Sequence, residues 1–430
     1  MPRPVTRKTL WIAVAASIAL TIVGVLVAVN LSSGEKRIQQ AVQGGYAVGD
    51  PRFLHVAGVL LGPPVVGGNR YRVLRNGDEI FPAMLDAIAG ARRSVSFETY
   101  IYWSGEIGRR FADALAERAR AGVPVHVLLD WVGSSKMDEA LLDEMRRAGV
   151  QVLKYHPPHW SHLGRLNNRT HRKLLIVDGR VGFTGGVGIA EKWTGHAQDP
   201  DHWRDTHVRV EGPVAAQMQA VFLDNWIKST GQVLVGDAYF PDIGPVGDGL
   251  AQVFSSSPTG GSESMELMML LAITSAQRTI RISNSYFVPN ELALKALTDA
   301  RARGVKVQII VPGPWIDTET VRSASRATWG RLLDAGVEIY EYQPTMFHCK
   351  VLVVDDYLVS VGSTNFDNRS FRLNDEANLN VYDAAFARQQ SAIFEEDRAR
   401  TKRVTRADWE RRPWTERVQE QAAALLDGQL

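Results

Sequence analysis

The 430-residue chain is 45% hydrophobic and carries 49 basic against 47 acidic side chains, a formal net charge of +2. This length leaves room for two lobes with cores of their own, and the near balance of charge shows no overall bias toward nucleic acid, although it does not reveal a local basic groove. The single cysteine, Cys349, excludes an intrachain disulfide.

A membrane-spanning helix is the first predicted element. Residues 10–29 are 20 consecutive uncharged positions rich in Ala, Val, Ile and Leu, which suffices to cross a bilayer. Arg3, Arg7 and Lys8 precede this stretch and favour a cytoplasmic N-terminus, with the rest of the chain on the extracytoplasmic side. A cleaved signal peptide is the alternative, although no small-residue cleavage site ends the stretch. We predict an uncleaved anchor over residues 1–34 and a single-pass protein of the cell membrane.

A first α/β lobe follows a lead-in over residues 35–69 and covers residues 70–230. Ile107, Phe111 and Leu115 recur at helical spacing, and Gly122 ends that helix. Apolar runs and turn residues predict the other elements, a helix at 85–92 and strands at 94–100 and 123–130. Strands that alternate with helices through short turns predict a largely parallel sheet.

One eight-residue pattern occurs twice in the chain. It consists of His-x-Lys, an apolar run and Asp, and it occupies His171, Lys173 and Asp178 and again His348, Lys350 and Asp355. The apolar run predicts a buried strand, and side chains two apart on a strand share one face. Each copy therefore presents an imidazole and an ammonium together.

A single copy of this pattern would be weak evidence, because short motifs match by chance. Here both copies keep the same internal spacing, and a glycine follows each aspartate by seven residues, at Gly185 and Gly362. The repetition argues against coincidence and predicts that two half-sites form one site. Cys349 lies between a histidine and a lysine, and we interpret it as a small buried residue.

The elements around the second motif repeat those around the first, which indicates a duplicated domain. Residues 121–125 resemble residues 303–307, and residues 147–152 resemble residues 334–339. The further boundaries are a Gly-, Pro- and Ser-rich connector at 231–264, a second lobe at 265–400 and a basic, then amphipathic, helical end at 401–430. This last segment either packs on the lobe or contacts anionic lipid headgroups.

The first lobe has about ten extra residues just upstream of its motif, within residues 156–168. A loop at this place can line or cover a site. His156, His159 and His162 are three residues apart, but two prolines and the lack of an adjacent Cys or carboxylate favour an ordinary loop. We predict no metal and no cofactor.

The paired motifs resemble the phospholipase D superfamily, and their flanks are similar to its bacterial cardiolipin synthase branch. The segments that carry this resemblance are Asn168-Arg-Thr-His-Arg-Lys173, Phe183-Thr-Gly-Gly186, Gly362-Ser-Thr-Asn-Phe-Asp-Asn-Arg-Ser-Phe371 and Asn374-Asp-Glu-Ala-Asn378. The resemblance covers residues 70–430. It implies two α/β/α sandwich lobes with a pseudo-twofold relation, an active site between them and a covalent phosphohistidine intermediate.

The residue types suit attack on an anionic phosphodiester. Lys173 and Lys350 neutralise nonbridging oxygens, one neutral imidazole attacks phosphorus, and the other, protonated, donates to the leaving oxygen. The symmetric pattern does not say which histidine does which. The resemblance implies that His171 is the nucleophile and His348 the general acid, then base.

Further site residues follow from the resemblance. Asn365 matches a phosphate-contacting amide, with Ser363 beside it among the expected substrate-binding residues, whereas the first-lobe counterpart Gly188 departs from the pattern. Glu376 and Asp205 are also placed in the site, as candidates to orient the imidazoles. For Asp205 the alternative is a surface ion pair with Arg204.

Two features around the site leave alternatives open. Asp178 and Asp355 belong to the motifs, either in the catalytic set or to fix the strand turns. The aromatic residues at predicted strand ends either form the mouth of the site or belong to the core: Tyr100, Tyr102, Trp103, Tyr286 and Phe287.

The resemblance and the anchor together favour a membrane phosphatidyltransferase that converts two phosphatidylglycerol molecules to cardiolipin and glycerol. Hydrolysis of phospholipids, with water as acceptor, is the main alternative. A nuclease of the same superfamily and a non-catalytic membrane scaffold are weaker ones. The expected partners are phospholipid and the bilayer, nucleic acid is not expected, and the oligomeric state stays open.

Overall fold

The computed structural model describes residues 7–31, 38, 40–157, 167–258 and 264–424. The helices are α1 Arg7–Leu31, α2 Pro51–Leu61, α3 Asn76–Ala89, α4 Glu106–Arg120, α5 Glu139–Arg147, α6 Ala215–Thr230, α7 Ser264–Thr274, α8 Glu291–Ala302, α9 Glu319–Asp334, α10 Asn368–Arg372, α11 Ala384–Arg398, α12 Arg406–Glu410 and α13 Trp414–Ala424. The strands are β1 Val66–Arg75, β2 Val95–Thr99, β3 Val125–Asp130, β4 Gln151–Tyr155, β5 Arg169–Thr170, β6 Leu174–Val177, β7 Val181–Gly185, β8 Thr206–Glu211, β9 Gly249–Ser256, β10 Thr279–Asn284, β11 Lys306–Pro312, β12 Glu338–Tyr342, β13 Lys350–Val354, β14 Leu358–Gly362, β15 Asn374–Tyr382 and β16 Thr401–Val404.

The strand order shows the duplication directly. From β12 to β4 the order is β12-β11-β10-β13-β14-β15-β9-β1-β8-β7-β6-β2-β3-β4. Each strand of the first lobe has a counterpart at the mirrored place, and the two halves meet where β1 pairs with β9. The predicted duplicated α/β architecture is therefore confirmed.

The prediction of a largely parallel sheet is wrong. In the described sheet, parallel pairing joins β2-β3-β4 and β10-β11-β12, and the two-residue strand β5 also pairs parallel with β15. Strands β6, β7 and β8 pair antiparallel, as do β13, β14 and β15. The motif strand β6 is followed at once by a turn at Asp178-Gly179, and a strand that returns through so short a turn pairs antiparallel.

Helices cover both faces of the sheet and complete the sandwich. On the outer face of the first lobe, α4 buries Ile107, Phe111 and Leu115, as their spacing predicts, and Gly122 follows it with a positive φ of 86°. A central core joins the lobes, because Ile176 of β6 and Val353 of β13 belong to one buried cluster with residues of α6 and α11.

Three predicted boundaries need correction. Strand β9, Gly249–Ser256, lies inside the segment predicted as a connector at 231–264. Helix α2 and the start of β1 lie inside the predicted lead-in at 35–69. The predicted C-terminal helix at 401–430 begins instead with strand β16, which pairs with β12.

The described part of the C-terminal segment packs on the second lobe. Arg326 of α9 lies 3.0 Å from Glu416 and 3.2 Å from Glu420 of α13, and Trp409 donates its indole N–H to the Arg326 carbonyl. Arg412 also pairs with Glu420 and lies over the Trp409 ring. These contacts favour the interpretation of a helical end packed on the lobe.

Helix α1 fits the predicted anchor. Residues 7–28 form a helix long and apolar enough to cross a membrane, and the described side chains of α1 are almost all exposed. An apolar helix whose side chains find no protein core is suited to lipid.

Candidate active site

Short backbone contacts between the lobes bring the two motifs together. Strand β5, which precedes His171, pairs with β15 of the second lobe, and the His171 N–H donates to the Asp375 carbonyl at 2.9 Å. The mirrored contact joins His348 to the first lobe, where its N–H donates to the Arg204 carbonyl at 2.8 Å. The backbone of each motif histidine is therefore bonded to the residue that immediately precedes a buried carboxylate of the other lobe.

Each motif histidine is held by that carboxylate. Nδ1 of His171 lies 2.9 and 3.1 Å from the two carboxylate oxygens of Glu376. Nδ1 of His348 lies 2.8 Å from Asp205 Oδ2. Because a carboxylate only accepts, Nδ1 carries the proton in both rings, and Nε2 is left for a substrate. This is the geometry that the predicted orienting role of both carboxylates requires. Each carboxylate and the imidazole that it contacts come from different lobes.

The motif lysines stand beside the histidines, as the strand alternation predicts. Lys173 donates to the His171 carbonyl at 2.8 Å. Lys350 donates to the His348 carbonyl at 3.0 Å and to Ser285 Oγ at 2.6 Å. Two ammonium groups thus lie next to the two imidazoles, where positive charge stabilises a phosphoryl group in transfer.

His171, Lys173 and His348 line one cavity of about 390 Å³ between the lobes. First-lobe residues make a largely aromatic wall, and second-lobe residues make a polar one. The lining residues are Tyr100, Ile101, Trp103, Arg169, His171, Lys173, Trp193 and Trp203 from the first lobe, and Tyr286, Asp317, Thr318, Val321, His348, Asn365, Asp367, Arg369 and Asn374 from the second.

Burial changes the pKa values of the site. It lowers the pKa of His171 to about 4 against the opposing charge of Glu376, and it lowers the pKa of Lys173 to about 7. Burial and the charge of Lys350 also lower the pKa of His348. In both rings the lowered pKa favours the neutral imidazole. A bound phosphodiester adds negative charge, which favours protonation of one ring.

Comparison with known proteins identifies the family. A profile described as "Cardiolipin synthase, PLD-like domain" matches residues 84–226 and 269–398, one match in each lobe. The chain is 36% identical over 377 residues to a cardiolipin synthase of Geobacillus thermodenitrificans, covering 87% of this chain and 75% of that protein. The chain belongs to the cardiolipin synthase family of phospholipase D-like proteins.

Further relatives support this membership. A probable cardiolipin synthase of Bacillus subtilis is 36% identical over 361 residues, covering 84% of this chain and 72% of that protein. The crystal structure of a phosphatidylserine synthase from Haemophilus influenzae matches with a TM-score of 0.67 and 14% identity, covering 88% of this chain and all of that one. The likeness to this crystal structure supports the fold alone. Membership of the family makes the chain a phospholipase D-type phosphatidyltransferase with a phospholipid substrate.

The expected substrate-binding residues divide into two groups. Asn365 lines the cavity, and its side-chain oxygen accepts from Ser285 Oγ at 2.8 Å. Ser363 does not line the cavity, and its hydroxyl donates to Glu376 at 2.5 Å. Glu376 and Asp205 do not line the cavity either, and each contacts a motif histidine.

The first lobe has glycines where the second has Ser363 and Asn365. At Gly186, an added Cβ would overlap the Asp205 carboxylate. At Gly188, an added Cβ would lie 2.7 Å from Ile101 Cβ and 3.2 Å from the Trp193 ring. Asp205 instead accepts from the Trp193 indole at 3.0 Å. Ile101 and the aromatic wall thus occupy the space that a side chain at position 188 would take, so Asn365 has no counterpart of its kind in the first lobe.

The motif aspartates lie outside the cavity. Asp178 accepts from the backbone N–H groups of residues 92–94 at 2.7–3.1 Å, and Asp355 from those of residues 277–279 at 2.7–2.8 Å. Both have positive φ, 55° and 54°, at the turn after the motif strand. Their placement in the catalytic set is not supported, and we assign them the alternative role of fixing the turns.

The other expectations around the site have clear outcomes. Arg204 forms its buried ion pair with Asp397 at 2.8 Å, so the alternative of a surface pair between Arg204 and Asp205 is wrong. Cys349 is buried, as predicted. Tyr100, Trp103 and Tyr286 line the cavity, whereas Tyr102 and Phe287 are core residues. His159 and His162 of the upstream loop lie outside the described residues.

Several cavity residues were not predicted. Trp203 has a sequence signal, because it stands two residues before Asp205, and Asp367 and Arg369 lie in the family-like segment after Asn365. Trp193 and Asp317 have no such signal. They reach the cavity through contacts between elements far apart in the chain.

Proposed function

We propose that the protein is a membrane-anchored cardiolipin synthase, which joins two phosphatidylglycerol molecules and releases glycerol. The observation that carries this proposal is the cavity that both motif histidines line together, each imidazole held by a carboxylate of the other lobe. Its support is the membership of the cardiolipin synthase family and the apolar helix α1.

In the first half-reaction, Nε2 of His171 attacks phosphorus of the first phosphatidylglycerol. An N–P bond forms, the bond from phosphorus to the glycerol oxygen breaks, and protonated His348 gives its proton to that oxygen. Glu376 stabilises the positive charge that develops on the His171 ring, and Lys173 and Lys350 neutralise the phosphoryl oxygens. Glycerol then leaves the cavity.

In the second half-reaction, a terminal hydroxyl of the second phosphatidylglycerol attacks the phosphatidyl-histidine. His348, now neutral, takes the hydroxyl proton, an O–P bond forms, and the N–P bond breaks. The product is cardiolipin, and both histidines return to their starting protonation. Asp205 holds the His348 ring and stabilises its charged form.

The assignment of His171 as nucleophile is part of this proposal. Both carboxylate oxygens of Glu376 lie within 3.1 Å of Nδ1 of His171, so they stabilise the positive charge of the ring that must carry a covalent phosphoryl group. His348 lies beside Lys350 and two tryptophan rings at 5.2 and 5.5 Å, surroundings that favour release of its proton to the leaving glycerol. On the predicted orientation of α1, the site lies on the extracytoplasmic side.

Product analysis by mass spectrometry tests this function. The purified full chain is incubated in detergent with phosphatidylglycerol, without added metal. Cardiolipin and glycerol in equal amounts are expected. Phosphatidic acid as the sole lipid product would make water the acceptor and overturn the proposed transfer between lipids.

A further inference from the structure

One side-chain pair at the cavity takes no part in the chemistry described above. The hydroxyl of Tyr286 donates to Asp317, at 2.6 and 2.7 Å from its two carboxylate oxygens. Both residues line the cavity, and Asp317 is exposed at its edge, in the loop between β11 and α9. A carboxylate has about four acceptor positions, so the Tyr286 bond fixes Asp317 and leaves acceptors for a ligand.

The first lobe has no equivalent of this pair among the described residues. The strand register places Ile101 where the second lobe has Tyr286, because each lies one residue before a bridge residue, Tyr102 or Phe287. Ile101 packs against Gly188 and belongs to the aromatic, apolar wall. The carboxylate therefore marks one side of a cavity whose other side suits the apolar part of a lipid.

Asp317 stands on the His348 side. Burial and the charge of Lys350 lower the pKa of His348, and the charge of Asp317 acts in the opposite direction on the same ring. The charge of Asp317 likewise raises the pKa of Lys350, which burial lowers. In the proposed reaction the proton of His348 goes to the leaving glycerol, so that glycerol lies on the same side as Asp317.

We propose that Asp317, held by Tyr286, binds the free hydroxyl groups of the glycerol unit and selects polyol headgroups. The inference rests on the proposed function and deepens it. A vicinal diol offers two O–H donors to one carboxylate, whereas a simple alcohol offers no donor beyond the reacting hydroxyl. Because the second half-reaction reverses the bond changes of the first, the accepting headgroup lies where the leaving glycerol lay, and its secondary hydroxyl, which neither reacts nor carries phosphate, donates to the same carboxylate.

A competition between two three-carbon alcohols tests the inference. The purified full chain receives phosphatidylglycerol with equal concentrations of deuterated glycerol and 1-propanol, and mass spectrometry gives the ratio of labelled phosphatidylglycerol to phosphatidylpropanol. The variants are Asp317→Asn and Tyr286→Phe. The matched control is Glu319→Gln, which removes an exposed carboxylate two residues from Asp317 that does not line the cavity.

We expect Asp317→Asn to lower the ratio about tenfold, the effect of losing a charged hydrogen-bond acceptor. Tyr286→Phe lowers it about threefold, since the carboxylate stays but is no longer fixed. Glu319→Gln keeps the wild-type ratio. An unchanged ratio in Asp317→Asn, with transfer to alcohols intact, overturns the inference alone. A wild-type protein that forms only phosphatidic acid overturns the proposed function and the inference with it.

Discussion

The two lobes share their positioning parts and differ in the walls that they give to the cavity. In both, a buried carboxylate of the opposite lobe holds the imidazole, a lysine stands two residues on, and an aspartate fixes the turn after the strand. The parts that set the geometry of the chemistry are therefore present twice.

The two sides of the cavity differ at two corresponding places. Ser285 and Asn365 contact each other in the second lobe, and Lys350 donates to Ser285. In the first lobe Tyr100 and Gly188 take these places, and the Lys173 ammonium lies 5.6 Å from the Tyr100 ring centre. The two halves of the duplicated site therefore differ in chemistry. The polar half suits phosphoryl and glycerol groups, and the aromatic half suits the apolar part of the lipid.

Replacement of either motif histidine should have the largest effect on activity, and it distinguishes the roles of the two lobes. His171→Ala and His348→Ala should each lower cardiolipin synthesis on the order of 10³-fold or more, because neither lobe supplies the missing group. They should differ with a phosphatidyl ester of p-nitrophenol, whose leaving group needs no acid. His348→Ala then releases a burst of p-nitrophenol and forms phosphatidyl-enzyme, and His171→Ala does neither.

Mass spectrometry of the intact protein checks for the covalent adduct. His196→Ala is the matched control, since this exposed histidine pairs only with Asp78 in the described structure and should leave the rate unchanged. A burst from His171→Ala, with none from His348→Ala, would reverse the assignment of nucleophile and acid.

Replacing the two orienting carboxylates sharpens the comparison. Glu376→Gln and Asp205→Asn should each lower kcat roughly 10²-fold, because the ring loses its fixed orientation and the partner for its positive charge. Glu376→Gln should slow the p-nitrophenol burst, whereas Asp205→Asn should leave the burst and slow the transfer to glycerol. Asp199→Asn is the matched control, an exposed carboxylate 2.7 Å from Nδ1 of His202. Equal slowing of both steps in both variants would contradict separate roles.

Substitutions at Asn365 and Gly188 test the divergent walls. Asn365→Ala should raise KM and lower kcat/KM about tenfold through loss of a phosphate contact, with little change in stability. Gly188→Ala should instead destabilise the fold by about 1–3 kcal/mol, because the new Cβ meets Ile101 and Trp193. Thermal unfolding in detergent and initial rates separate the two effects. A Gly188→Ala protein with unchanged stability would show that the side chains of the aromatic wall move to accommodate the new Cβ.

The sequence predicts the parts of the site that depend on local spacing. His171 and Lys173 share a strand face because they are two residues apart, and the repeated turns reveal the duplicated lobe. The sequence identifies the orienting carboxylates as candidates. It does not show that each contacts the histidine of the other lobe, because that contact depends on β5 pairing with β15, about 200 positions away in the chain. The same holds for Asp317, which lines the cavity, and for Ser285, which contacts Lys350 and Asn365.

Composition also conceals structure. The Gly-, Pro- and Ser-rich composition of residues 231–264 predicts a connector, although strand β9 lies within it. The polar Gln252 of this strand is buried, donates to the Pro63 carbonyl and accepts from the Tyr382 hydroxyl. A strand between two others in the middle of a wide sheet obtains its partners from β1 and β15, so its own periodicity need not be strong.

Substitution of the motif aspartates should have the smallest effect on activity, and the effect should be the same in both lobes. Asp178→Ala and Asp355→Ala each remove the acceptor of three backbone N–H groups, so each should lower the free energy of unfolding by about 2–3 kcal/mol. The kcat of the folded fraction should stay within about twofold, since neither side chain lines the cavity. Thermal melts with Asp86→Ala as an exposed control measure the first effect, and rates per folded molecule the second. A large loss of kcat with an unchanged melt would return these aspartates to the catalytic set, whereas equal losses of stability identify them as the mirrored supports of the two motif strands.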